Sequence, residues 1–173
     1  MPGRAYLIRY EASGLCEYDR SMPNESGRVS PQSQSVRVAI AQSAPVYLDK
    51  RASLAKALDL VQRAAKQDSR LVAFGETWLP GYPAWLDVCP GVALWENDAA
   101  KDVFARLRDN SITVPGEEVD RLSEAARDLK ISIVLGVNER VDSGPGNGTL
   151  YNSLLTISED GQLKNHHRKL VPT

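Results

Sequence analysis

Residues 71–83 read LVAFGETWLPGYP, and the fold turns on how this stretch is read. Four apolar residues closed by Gly75 have the pattern of a strand buried on both faces of a parallel sheet. Pro80 and Pro83 stiffen the loop that follows, because each ring fixes its own φ and restricts the residue before it. Between strand and loop stands a carboxylate, Glu76. A strand core has no use for a charge, and a solvent loop has little use for Trp78 and Tyr82. A glutamate held rigidly among aromatics therefore points to a site. In open α/β sheets ligands gather beyond the carboxyl ends of the strands, which is where Glu76 falls. Partial desolvation beside Trp78 is expected to raise its pKa toward that of a general base. The same position also suits a helix-capping or exposed loop glutamate.

Outward from this strand, the chain alternates strand and helix signals. Upstream, VRVAIAQ places Val36, Val38 and Ile40 in alternation, a strand pattern. DKRASLAKALDLVQRAAKQ then sets Leu54, Leu58, Val61 and Ala65 at helical spacing, with Asp49 or Ser53 able to cap. Downstream, NDAAKDVFARLRD carries Ala100, Val103, Phe104 and Leu107 on one side. PGEEV opens a further helix with Pro115 and two acids at its positive end, and its stripe is Val119, Leu122, Ala126 and Leu129. ISIVLGVNE reads as a buried strand. SGPGNG is a glycine-rich connection and TLYNSLLTIS a strand. SEDGQ carries an Asp-Gly hairpin signal, and QLKNHHRKLV is its returning arm. The order β-α-β-α-α-β-β-β, without repeats, predicts an α/β fold with helices covering sheet faces.

The totals agree with one globular domain and exclude several function classes. The chain has 173 residues, 42% of them hydrophobic, and a domain of that length buries about 70% of its unfolded surface. Lys and Arg number 21 against 22 acidic residues, a net charge of -1, which gives no general attraction to nucleic acid or an anionic membrane. No run of about 20 apolar residues exists to span a membrane. Two cysteines, Cys16 and Cys89, make no disulfide framework and fit a reducing cytoplasm, where the sequons at Asn24 and Asn147 stay silent. Residues 1–35, with SMPNESGRVSPQSQS, are too poor in apolar groups to repay ordering and read as a flexible leader, with Met22 an alternative start.

Other residues offer chemistry less directly. In KNHHRKLVP, strand alternation puts His167, Lys169 and Val171 on one face and His166, Arg168 and Leu170 on the other. Lys169 can then point inward as an oxyanion donor, or sit on an exposed edge that deters aggregation. His166 and His167 project oppositely, so no metal is expected between them, and no other cluster has zinc spacing. GPGNG lacks the Lys-Ser/Thr of a phosphate-binding loop and reads as a connection. Cys89, in WLDVCPG, has no base beside it and reads as a neutral, partly buried thiol.

Together, LVAFGETWLPGYP and the much later YNSLLTISEDGQLKNHHRKLVPT resemble the nitrilase, or carbon–nitrogen hydrolase, superfamily. In that family a glutamate closes a strand just before a G-Y-P turn, the place of Glu76 here. A lysine in an H-R-K-[LV]-x-P-T segment is the second catalytic residue, the place of Lys169. VRVAIAQ looks like the family's first strand, so the resemblance covers residues 36–173, and W-L-P-G-Y-P looks most like the nitrilase branch, with amidases and carbamoylases as near relatives.

The resemblance implies the amino-terminal part of a four-layer α-β-β-α sandwich, a small-molecule nitrile or amide substrate, no cofactor, and homo-oligomers in the full-length form. It implies Glu76 as general base and Lys169 as oxyanion stabiliser. Trp78, Tyr82 and Trp85, near a strand end, read either as the lining of a pocket for an apolar group or as core. The family's third catalytic residue is a cysteine before a Trp-Glu pair, some tens of residues beyond the lysine. A second glutamate shortly follows the P-T. Neither has a counterpart here, and neither Cys16 nor Cys89 matches. The chain thus reads as the amino-terminal half of a nitrilase, inactive alone, or as a short non-catalytic partner of a full-length relative.

Overall fold

The computed structural model describes residues 6–10, as backbone, and residues 36–171. Strand β1 (Tyr6–Tyr10) pairs antiparallel with β2 (Val36–Ile40). Helix α1 (Lys50–Ala65) starts at Asp49, whose carboxylate accepts from the Ala52 N–H at 2.9 Å. That assigns the cap to Asp49; the Ser53 hydroxyl instead donates to the Val46 carbonyl. Then come β3 (Leu71–Ala73), α2 (Trp85–Val88), α3 (Asp98–Asn110), α4 (Glu117–Leu129), β4 (Ser132–Arg140), β5 (Leu150–Ile157) and β6 (Leu163–Arg168).

Two elements go beyond the order read from the sequence. Helix α2 has four residues, too few for a helical period to register. Strand β1 lies inside the stretch expected to be a flexible leader and differs from that expectation, because its ladder to β2 orders the backbone there. The rest of the leader, with Cys16, Met22 and Asn24, lies outside the described residues.

The six strands lie side by side in chain order. β2, β3 and β4 are parallel, which requires crossovers, and these are α1 and the run α2 to α4. β4, β5 and β6 follow as antiparallel hairpins. The registers put Ala39, Val72, Ile133, Leu135, Leu155 and Ile157 on one face, each at most 1% exposed, against Leu54, Leu60 and Val61 of α1 and Leu122 and Ala126 of α4. On the opposite face Leu71, Ala73 and Val134 are only half-buried, while Ile40 and Leu154 are exposed. The reading of LVAF as buried on both faces is therefore corrected: α1 and α4 both pack on the Val72 side. The fold is a mixed α/β sheet with helices over one face.

Candidate active site

The site grows from an interruption at the end of β3. The Phe74 N–H still donates to the Val134 carbonyl at 2.9 Å. The chain then leaves the ladder and rejoins it at Leu79, whose N–H donates to the Gly136 carbonyl (3.1 Å) and whose carbonyl accepts from the Asn138 N–H (2.8 Å). Residues 75–78 arch between, with Thr77 at a left-handed φ of 45°, a conformation β-branched residues seldom adopt. Gly136 lies directly beneath. A Cβ there would overlap the Gly75 carbonyl oxygen and lie 2.6 Å from Thr77 N and 2.8 Å from the Glu76 Cα. Only a glycine at 136 lets this arch lie flat on β4, and the arch presents Glu76.

Lys169 arrives from the other end of the chain. Its N–H donates to the Asn152 carbonyl at 2.8 Å, extending the β5–β6 ladder one residue past the strand. Its ammonium reaches Glu76 Oε1 at 2.7 Å, and the Asn152 side-chain amide donates to the same oxygen at 2.5 Å. Glu76, Gly136, Asn152, Leu154, His167 and Lys169 border a cavity of about 230 Å³. Hydrogen bonds from Lys169 and then Asn152 hold the Glu76 carboxyl below the usual glutamate range, against a smaller opposing effect of burial. This reverses the upward shift expected from desolvation: half of the Glu76 side chain meets solvent, and two donors favour its charged form.

On the helix-covered face of the same strands sits a second carboxylate. Glu139 of β4 is 1% exposed. It accepts from the Ser153 hydroxyl (2.7 Å), from His166 Nε2 (2.8 Å) and from the Arg168 guanidinium at 2.6 Å on Oε1. Since an ionised carboxylate only accepts, Nε2 is the protonated nitrogen of His166. The Arg168 guanidinium also lies 4.3 Å above the Tyr151 ring. Burial alone would raise the Glu139 pKa, but the bonds from Arg168, His166 and Ser153 override it and hold the group down at about 2.

The expected aromatic lining divides. Tyr82 borders a cavity of about 210 Å³ together with Thr77, Leu86, Phe104, Leu107 and Asn152, so Asn152 joins this cavity to Glu76. Trp78 instead is 5% exposed, donates its indole N–H to the Ser43 carbonyl and packs edge-on against Phe74 at 4.9 Å. Of its two readings, pocket lining or core, Trp78 takes the core one. Trp85 borders a different cavity, beside Leu94 and Phe104. His166 turns to Glu139 while His167 borders the Glu76 cavity, on opposite faces. Cys89 ends α2 and is exposed, which corrects its reading as partly buried.

Three residues of this arrangement escaped sequence reading. Asn152 stands in YNS with no signal beyond a polar residue in an apolar strand. Gly136 breaks the apolar run IVLGV, and a lone glycine inside a strand marks close backbone approach. Glu139 ends the same strand and reads as its solvent-exposed boundary.

The family model for carbon–nitrogen hydrolase matches residues 37–173. The chain is 41% identical over 139 residues to a "Nitrilase 2" from an unknown prokaryotic organism, covering 80% of this chain and 41% of that protein. It is 38% identical over 138 residues to an arylacetonitrilase of Hypocrea virens, covering 80% and 38%. The chain therefore spans about two fifths of the length of these curated relatives. In structure it resembles Saccharomyces cerevisiae Nit3, a member of branch 10 of the nitrilase superfamily, with a TM-score of 0.59, 27% identity, and coverage of 80% of this chain and 45% of that one. An arch that lifts a glutamate off a parallel strand, a lysine that meets it from 93 residues away and a matched family model lead to one assignment: this chain belongs to the carbon–nitrogen hydrolase family.

Proposed function

We propose that this chain supplies the base and the cation of a nitrilase-type site, which hydrolyses a nitrile to a carboxylic acid and ammonia. The carrying observation is the 2.7 Å contact between Glu76 and Lys169. In this reading a cysteine thiol, supplied from outside the 173 residues, attacks the nitrile carbon. A thiol with a pKa of about 8.5 is mostly protonated at neutral pH, so a base must take its proton. Glu76 is ionised there and in the form that accepts a proton. It is also a weak base while Lys169 holds it. As negative charge grows on the substrate nitrogen, the ammonium turns toward that charge, and Glu76 regains basicity when the proton must move. One well-placed donor to such a charge contributes about 3 kcal/mol.

The cavity beside Tyr82 would take the organic part of the substrate. At about 210 Å³ it exceeds the ~150 Å³ apolar cavity known to admit benzene, and Tyr82, Leu86, Phe104 and Leu107 suit a single aromatic ring. Arylacetonitrilase activity in a relative agrees with that choice. Amides of the same acyl group are the second substrate class for the same base and cation.

The test is ammonia release from aliphatic and aromatic nitriles, by the 173-residue chain and by any product whose reading frame continues past Thr173 into a Cys-Trp segment. The chain alone should release none. The longer product should release ammonia and lose that activity on Glu76→Gln. Release by the short chain, abolished by the same substitution, would overturn the external nucleophile. Release from the longer product that survives Glu76→Gln would overturn the base.

A further inference from the structure

The strand that delivers Lys169 is fixed at its near end by the hairpin turn, where Ser158 and Gln162 pair. Lys169 lies past its far end, and no buried face supports it there. All six residues of β6 are exposed, and its pairing with β5 is irregular between Thr156 and Ile157. Register is normally pinned by a buried face, since a one-residue slip exchanges the faces, and β6 buries none. What reaches it instead is Glu139, two strands away on β4. That carboxylate lies among Ser153 of β5 and His166 and Arg168 of β6, so one buried group ties three neighbouring strands together. Arg168 is held on two sides, by Glu139 and by the Tyr151 ring. The next residue is Lys169, which points to the opposite face and meets Glu76.

We infer that Glu139 is a positioning residue: by anchoring Arg168 on the helix-covered face it aims Lys169 at Glu76 on the other. The inference rests on reading Glu76 and Lys169 as a working pair. A slip of one residue would turn Lys169 to the wrong face, and a slip of two would put Val171 in its place. Arg suits the anchor because its planar fork fixes direction as well as distance. The Ser153 bond is secondary, since it joins Glu139 to the neighbouring strand β5 rather than to β6.

The experiment is an NMR titration of the Glu76 carboxyl carbon in the 173-residue chain, comparing wild type, Glu139→Gln, Arg168→Met and Ser153→Ala. In folded Glu139→Gln the midpoint of Glu76 should rise toward 4.5, the value for an unpartnered glutamate, with backbone signals of α1 and β3 unchanged. Arg168→Met, at a side chain 42% exposed, should do the same and serves if Glu139→Gln fails to fold. Ser153→Ala should leave Glu76 titrating as in wild type. A lower melting temperature with an unmoved Glu76 midpoint in either clamp variant would show a merely structural clamp and overturn the inference. Failure of nitrile hydrolysis would leave this titration unaffected, so the two readings fail separately.

Discussion

Gly136→Ala puts the arch that carries Glu76 under the sharpest strain. The new Cβ would lie 2.6 Å from Thr77 N and 2.8 Å from the Glu76 Cα, where carbon contacts settle at about 3.5–4.0 Å. Backbone occupies both sides, so no side chain can swing away. Either the arch lifts by about 0.7–1 Å or the bonds that close it, Leu79 N–H to the Gly136 carbonyl and Asn138 N–H to the Leu79 carbonyl, are strained. Overpacking of this kind costs about 1–3 kcal/mol, and at about 2–4 °C per kcal/mol for a chain of this size the melting temperature should fall by roughly 2–12 °C. The lift carries Glu76 away from Asn152 and Lys169, so its carboxyl should titrate closer to the ordinary value. In an active longer form, a displacement near 1 Å costs on the order of 100-fold in rate. Gly75 is the control: nothing lies within 4 Å of a Cβ built there, and Gly75→Ala should stay within about 0.5 kcal/mol of wild type. Calorimetry and the Glu76 titration read both effects. Gly136→Ala that melts with the wild type and leaves Glu76 unchanged would refute the close approach.

Acid should unfold the chain partly through Glu139. Its pKa is lowered from 4.5 to about 2, so its contribution is present above pH 4.5 and is lost as pH falls toward 2. The linkage is worth at most about 3 kcal/mol, less for solvent screening of Arg168, and Glu139→Gln should flatten stability over that window in calorimetry. Glu76 follows the same sign, because its pKa is also lowered. Lys169→Met should raise its titration midpoint more than Asn152→Ala does, since the lysine bond dominates, and NMR resolves the order. Trp78→Ala should cost about 3–5 kcal/mol by removing the contact with Phe74 and the bond to Ser43, whereas Trp78→Phe should recover most of that loss in a thermal melt.

The parallel core was legible because its elements announce themselves locally. Asp49 and the stripe Leu54, Leu58, Val61 and Ala65 declare α1, and the runs at β3 and β4 declare strands between helices. Glu76 and Lys169 were legible as residues, through their motifs, but their environment was not. The pKa of Glu76 is lowered first by Lys169 and then by Asn152, which reach it only through the β4–β5–β6 pairing. Residues 71–83 alone show only desolvation by Trp78, which acts in the opposite direction. Trp78 packs inward on Phe74 and donates to the Ser43 carbonyl, a partner 35 positions upstream that residues 71–83 do not reveal. Glu139 was invisible for a related reason. Its partners lie 14, 27 and 29 positions away, and a glutamate before an arginine at a strand end looks like a solvated boundary.

A zero-length carbodiimide coupling tests most directly whether the proton acceptor and the cation meet. Treated at neutral pH and digested, the 173-residue chain should yield a peptide pair joined by an amide between the Glu76 carboxyl and the Lys169 ammonium, with loss of one water. Glu76→Gln should abolish that product while other cross-links, such as Lys50 to Glu118, persist. A digest in which Lys50–Glu118 is joined and Glu76–Lys169 is not would contradict the site.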